Sequence, residues 1–230
     1  MIPPVDDPVT LHRILSETEV LLLDFDGPIC SVFAGIPAPV VANQLRGVLA
    51  EGGCTDLPEQ VRTADDPFDV LFYAATLGRE EAKVVEAAFR AHEVEAVQLA
   101  EPTPHTIDVM HAWKATGRRL AVVSNNSSAA VDTYLDIHGL RAEVDLVSAR
   151  VGADVTLLKP SPHLVTDATN RLGSPASRCT LVGDSVTDIE ASHAAQVTPI
   201  GYANKPGKAD RLIAAGAVVV ITSTSALISG

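Results

Sequence analysis

The 230-residue sequence predicts an α/β fold: a doubly wound parallel sheet carrying an inserted all-helical domain. Three observations predict it. Short β-branched or Leu-rich runs recur with helical stretches between them, the pattern of a parallel sheet covered on both faces. The first run ends near residue 26 and the second begins near 119, too wide a gap for one crossover helix. Within that gap, apolar residues fall at helical spacing and no run reads as a strand.

VLLLDFD at 20–26 is the first strand, followed by a polar break, SVFAG, at 31–35. Three helical segments come next: IPAPVVANQLRGVLAEGG at 36–53, DPFDVLFYAATLG at 66–78 and REEAKVVEAAFRAHEVEAVQLA at 79–100. Each closes on glycine or a polar break. The acidic residues of the third segment read as a solvated helix face. EPTPHT at 101–106 returns the chain to the sheet, so the core is expected at 1–30 and 103–230 and the insertion at 31–102.

The helix IDVMHAWKAT closes at Gly117, and the second strand is RLAVVSN at 119–125. A helix from near Ser128 ends at Gly139, with Asn126 and Ser127 expected as its capping residues. VDLVSA at 144–149 is the third strand. Ser161 and Pro162 then open a helix that closes at Gly173, serine capping and proline at the first helical position. TLVGDS at 180–185, TPIGYA at 198–203 and VVVIT at 218–222 complete six strands.

Apolar residues make up 47% and aromatics 4%, so the core is built mainly from Ala, Val, Leu and Ile. A net charge of −12 argues against nucleic-acid and anionic-membrane partners, which need clustered Lys and Arg. The balance fits a cytoplasmic protein, and the opening MIPPVDDPVTLHRILSE lacks the basic start and apolar run of a secretory leader. No apolar stretch approaches the ~20 residues of a membrane helix. Cys30, Cys54 and Cys179 suit neither a disulfide framework nor a zinc site and are expected reduced. The seven histidines are scattered without metal-ligand spacing.

Asp24 and Asp26 sit at the carboxyl end of the first strand, two residues apart, followed by Gly27, which permits a sharp turn and close approach of a ligand. Alone, D-x-D-G is weak and arises by chance in roughly one chain of this length in fifteen. Three other segments fall where ligands bind in an open parallel sheet, beyond the carboxyl ends of its strands. They are Ser124-Asn125, Lys159-Pro160, and GDSVTD at 183–188 with Asp184 and Asp188. So many acids in one crevice require a cation.

In order and spacing these motifs resemble the haloacid dehalogenase-like hydrolase superfamily, in its helical-cap branch of phosphoglycolate phosphatase-like and β-phosphoglucomutase-like proteins. The resemblance covers the whole chain. It implies a Rossmann-like core, a cap formed by the insertion, and a Mg²⁺-dependent phosphatase acting on a small phosphorylated metabolite. Asp24 is then the nucleophile that forms an aspartyl-phosphate and Asp26 the general acid and base. Lys159 lends positive charge, and Ser124, Asn125 and Gly27 bind the phosphate. Asp24, Asp184 and the Asp26 backbone carbonyl are the implied metal ligands, with Asp188 as a support.

One position departs from the family pattern: Pro28 stands where a Thr or Ser hydroxyl and N–H usually face the phosphate. Asp26 disfavours the dehalogenase branch, which lacks that aspartate. A phosphosugar mutase shares the catalytic set and needs a cap base, such as Arg46, Arg62, Arg79 or Lys83, to reach the site. A non-catalytic scaffold for a phosphorylated ligand or partner is the remaining alternative. Phe33, Arg46 and Phe72 are places to look for specificity, and His105 for a minor role in the return linker. Oligomeric state, monomer or homodimer, is left open.

Overall fold

A computed structural model describes residues 4–228. Six strands form one parallel sheet: β1 (Val20–Leu23), β2 (Arg119–Ser127), β3 (Leu146–Arg150), β4 (Cys179–Gly183), β5 (Thr198–Tyr202) and β6 (Val219–Ile221). Their spatial order is β3-β2-β1-β4-β5-β6. The order reverses at β1, which pairs with β2 on one side and β4 on the other, so the switch point lies at the end of β1.

Alternation along the strands splits the core between two faces. Leu21, Leu23, Leu120 and Val122 join Leu11, Met110, Trp113 and Tyr134 on one. These come from α1 (Pro8–Glu17), α6 (Thr106–Ala115) and α7 (Ser128–Ile137). Val20, Leu22, Ala121, Val123 and Leu181 join Leu164, Val165 and Ala191 on the other, from α8 (His163–Leu172) and α9 (Val186–Ala194). A tenth helix, α10 (Lys208–Ala215), links β5 to β6. The α1 helix has no counterpart among the segments expected from sequence; Asp7 caps it by accepting from the Thr10 N–H at 3.0 Å.

Between β1 and β2 the chain forms α2 (Ala38–Glu51), the short α3 (Glu59–Arg62), α4 (Pro67–Leu77) and α5 (Arg79–Val97). Their apolar stripes meet through Val41, Leu45, Leu71, Val85 and Phe89. The solvated acidic face expected for α5 holds for Glu80, Glu81 and Glu95 and fails at two positions. Glu86 and Glu93 are buried, at 4% and 0% exposure. They lie one heptad apart on the apolar stripe with Ala82, Phe89 and Ala96, and rotation along the helix turns them inward. None of the described helices is long and apolar enough to cross a membrane.

Two of the strand ends that differ from expectation bear on the site. The ladder of β1 stops at Leu23, and the Asp24 N–H donates once more to Val182 O at 2.9 Å before the chain turns. β2 runs on to Ser127 through a bulge: Ser124 pairs with Ala149, and Ser127 pairs with the next residue of β3, Arg150. Asn125 and Asn126 are the unpaired extra residues.

Candidate active site

Beyond the switch point, Asp24 Oδ1 accepts from the Phe25 N–H and from Lys159 Nζ, both at 2.8 Å. Lys159 is 3% exposed and uses all three ammonium protons, on Asp24, on Asp188 Oδ1 at 2.5 Å and on Val123 O at 3.1 Å. It is therefore not a solvated surface lysine. Burial opposes its charge, but Asp188 and Asp24 outweigh that and hold its pKa above the ordinary lysine value.

Asp188 is at once a helix cap and a member of the site. Its Oδ2 accepts from the Ser185 N–H at 3.0 Å and the Ser185 hydroxyl at 2.7 Å, closing a capping box on α9, while Oδ1 faces Lys159. Asp184, at the end of β4, has Oδ2 occupied by Asn204 Nδ2 at 3.1 Å and by the Lys208 ammonium.

Two glycines let these loops approach. Gly27 has φ +107°, and a Cβ there would lie 2.4 Å from Asp184 Cγ. At Gly183 a Cβ would lie 2.3 Å from the Cβ of Asp188. The turn after Asp26 is closed by Gly27 N–H to Cys30 O at 2.6 Å and braced by Thr103 and Thr106, whose hydroxyls donate to Gly27 O and Pro28 O.

Carboxylate oxygens of Asp24, Asp184 and Asp188 lie within 4.8 Å of one another. The Asp26 carboxylate stands outside this group, its Oδ1 accepting from the Val32 N–H at 2.9 Å. Burial, then the negative Asp188, pushes Asp24 up to about 8 against the opposing Lys159. Burial also raises Asp26 to about 6 and moves Asp184 upward, with Lys208 opposing the latter. An all-oxygen cluster that is costly to ionise suits a hard divalent cation, so these residues fit Mg²⁺.

Ser124 is buried, its hydroxyl accepting from the Asn126 N–H at 3.1 Å and donating to Asn126 Oδ1 at 3.2 Å. Asn126 is therefore not the helix cap expected of it. Ser127 alone caps α7, accepting from Ala130 N–H at 3.3 Å, and Asn126 Nδ2 donates to Glu93 at 3.0 Å. Asn125 clasps the other loop, with Nδ2 donating to Lys159 O at 3.0 Å and Oδ1 accepting from Lys159 N–H at 2.8 Å.

The basic residues considered for the insertion are engaged locally or lie apart. Arg46 donates to Val61 O and Ala64 O, Arg62 pairs with Glu59, and Lys83 pairs with Glu80. Arg79 lines a cleft of about 850 Å³ beside β3 and α8, whose walls include none of Asp24, Asp26, Lys159 and Asp184. Phe33 stacks on Phe89, 6.3 Å between ring centres, and Phe72 is partly exposed. The three cysteines are free, Cys30 and Cys179 buried.

Residues that sequence reasoning missed are Asn204, Lys208, Arg150, Glu86 and Glu93. Signals for four of them exist. N-K-P-G-K at 204–208 follows the strand beside β4, where a loop reaches the same crevice, and two glutamates on an apolar stripe demand a buried partner.

The haloacid dehalogenase-like hydrolase family matches residues 22–202, well over half the chain. The chain is 31% identical to a plasmid-encoded phosphoglycolate phosphatase of Cupriavidus necator, over 90% of each sequence. It is 26% identical to a phosphoglycolate phosphatase of Caulobacter vibrioides, over 86% of this chain and 85% of that one. Among solved structures, a predicted phosphatase from Clostridium acetobutylicum superposes with a TM-score of 0.71 at 16% identity, over 92% of this chain and 97% of that one. With the motif residues gathered at one sheet end and the match running through all of them, the chain belongs to the haloacid dehalogenase-like hydrolase family.

Proposed function

We propose that this family member, a phosphatase, is Mg²⁺-dependent and hydrolyses a small phosphate monoester through an aspartyl-phosphate on Asp24. One observation carries the reading: a buried carboxylate held 2.8 Å from a buried lysine, with two further carboxylates beside it and a half-buried Asp26 two residues along.

In this reading, Asp24 attacks phosphorus and Asp26 protonates the departing ester oxygen, then takes the proton of the attacking water. A carboxyl raised to about 6 exchanges its proton near neutrality, as that double role requires. Lys159 holds Asp24 in place and faces the transferring group. Ser124, the Asn125 N–H and Gly27 contact phosphate oxygens. Mg²⁺, held by Asp24, Asp184 and the Asp26 carbonyl with Asp188 in support, would neutralise charge between the nucleophile and the phosphate.

The helical insertion, residues 31–102, serves as the cap and excludes water. Its basic residues bond within the insertion or line the cleft beside β3, which favours hydrolysis over a mutase. Phosphoglycolate is the first substrate to test, given the relatives' activity. The acidic composition supports a cytoplasmic location.

The experiment is phosphate release from phosphoglycolate, an aryl phosphate and a panel of small monoesters with Mg²⁺. Metal-dependent release, abolished in Asp24→Asn, is expected. Isomerised sugar phosphate without release would mean a mutase, and no turnover of any ester would mean a binding scaffold; either overturns the proposal.

A further inference from the structure

We propose that Glu86, Glu93 and Arg150 form a buried clamp through which α5 of the insertion sets the conformation of segment 124–127. Glu93 and Arg150 are then positioning residues for phosphoryl transfer. The inference rests on the reading of Ser124 and Asn125 as phosphate contacts.

Arg150, at the end of β3, is 2% exposed. It donates to Glu86 through Nη1 and to Glu93 through Nη2, each at 2.5 Å, and its guanidinium lies 4.9 Å above the centre of the Phe89 ring. Its third nitrogen, Nε, donates to Asn125 O at 3.0 Å. Glu93 has no exposed surface and uses both oxygens on segment 124–127 as well as on Arg150. Oε1 accepts from Asn126 Nδ2 at 3.0 Å, and Oε2 accepts from the Ser127 N–H at 3.1 Å. The segment these groups grip is the bulge of β2, whose register with β3 is lost between Ser124 and Ser127.

A buried ion cluster is a poor device for stability, because apolar residues of similar volume often serve as well or better. Its value lies in direction: each bond fixes an orientation that leucine cannot. Here the bonds from Arg150 on β3 and Glu93 on α5 converge on three consecutive residues, Asn125, Asn126 and Ser127. From Asn125 the chain of contacts continues through its two-point clasp on Lys159 to Lys159 Nζ on Asp24. Asn126 meanwhile holds the Ser124 hydroxyl. Insertion and phosphate segment thus share one rigid seam, and loosening it displaces Ser124 and Lys159 without touching Asp184.

Contiguity alone does not establish coupling, so the test is a double-mutant cycle. Glu93→Gln, Arg150→Lys and the double variant conserve volume and keep the fold within reach. Four readouts apply: kcat and KM on an aryl phosphate at saturating Mg²⁺, inhibition by inorganic phosphate, calorimetric Mg²⁺ affinity, and amide exchange over residues 124–127. Each single variant is expected to lose on the order of tenfold or more in kcat/KM and to weaken phosphate inhibition. Exchange over the segment should accelerate, Mg²⁺ affinity should change less than kcat/KM, and the double variant should be no worse than the poorer single one.

Unchanged constants and exchange in folded variants, or losses that simply multiply, would overturn the clamp. Amide exchange needs no turnover and decides it even for a variant too unstable to assay at length. If the unmodified protein releases no phosphate, the proposed reaction fails, while slow exchange over 124–127 that quickens in Glu93→Gln still supports the seam.

Discussion

At Asp184 one carboxylate oxygen is already taken, by Asn204 at 3.1 Å and by the Lys208 ammonium. Two effects of Lys208 on a cation oppose each other. Orienting a ligand is worth about 10- to 100-fold in affinity, or roughly 1.4–2.7 kcal/mol. A dication held on the same carboxylate would repel the ammonium by about 7 kcal/mol if about 5 Å from it, at an effective dielectric of ~20 and before screening at this partly exposed group. Repulsion wins even when halved. Lys208→Met is therefore expected to tighten Mg²⁺ severalfold in a calorimetric titration, and weaker binding would show that orientation dominates. At Gly27 the sign is not in doubt: Gly27→Ala drives a Cβ into Asp184 and should weaken Mg²⁺ and abolish turnover. Pro28 has its carbonyl held by Thr106 and offers no N–H, so Pro28→Thr should retain or raise phosphate release; a large loss would mean the ring itself shapes the turn. Asp24, Asp26 and Asp184 were legible because each stands next to a strand end in the sequence, and Lys159 because it stands just ahead of a helix start. Arg150 was not, because its partners lie 57 residues or more away and nothing local marks the pairing, and for Lys208 the loop signal at 204–208 does not name its partner 24 residues back.

Among the elements, α9 shows how a site can be built on ordinary helix chemistry. Ser185 caps the helix and also holds Asp188 Oδ2, leaving Oδ1 to face Lys159. Ser185→Ala should cost about 1 kcal/mol in a denaturation experiment, the usual loss for a cap, and should lower turnover because Asp188 Oδ2 keeps only its bond from the backbone N–H of residue 185. A stability loss with unchanged kcat would confine Ser185 to the helix. The strands were readable because burial on both faces demands unbroken apolar runs, and all six runs form ladders. Helix α5 was misread in part for a corresponding reason. A count of its charges describes a solvated face, whereas stripe position decides which of them turn inward, and Glu86 and Glu93 share the stripe with Phe89. Even then, nothing in α5 identifies Arg150 as their partner, since strand β3 reaches them only through the fold.

The whole molecule carries a charge of −12 and buries several acids at one end of its sheet. Asp24 and Asp26, raised by burial to about 8 and about 6, and Asp184, also raised, bind protons more tightly folded than unfolded. Between about pH 4 and pH 8 the native state therefore holds more protons than the unfolded chain, and by linkage stability falls as pH rises. Asp7, Glu19, Glu80, Asp145 and Asp154 act in the opposite sense, but their pKa values are lowered from ordinary values of 3.8 and 4.5, so their contribution is completed at the acid edge of this window and constant above about pH 5.5. Lys159, raised, contributes stability that is lost only at strongly alkaline pH. In chelator, the melting temperature is accordingly expected to drop from pH 5 to pH 8.5, and less steeply in Asp24→Asn. Mg²⁺ must displace the Asp24 proton, so its apparent affinity should climb by up to about tenfold per pH unit between pH 6 and 8, and its stabilising effect should grow in parallel. A melting temperature that rises with pH in chelator would show that these acids are ionised without a cation, and that Lys159 and Lys208 alone balance the cluster.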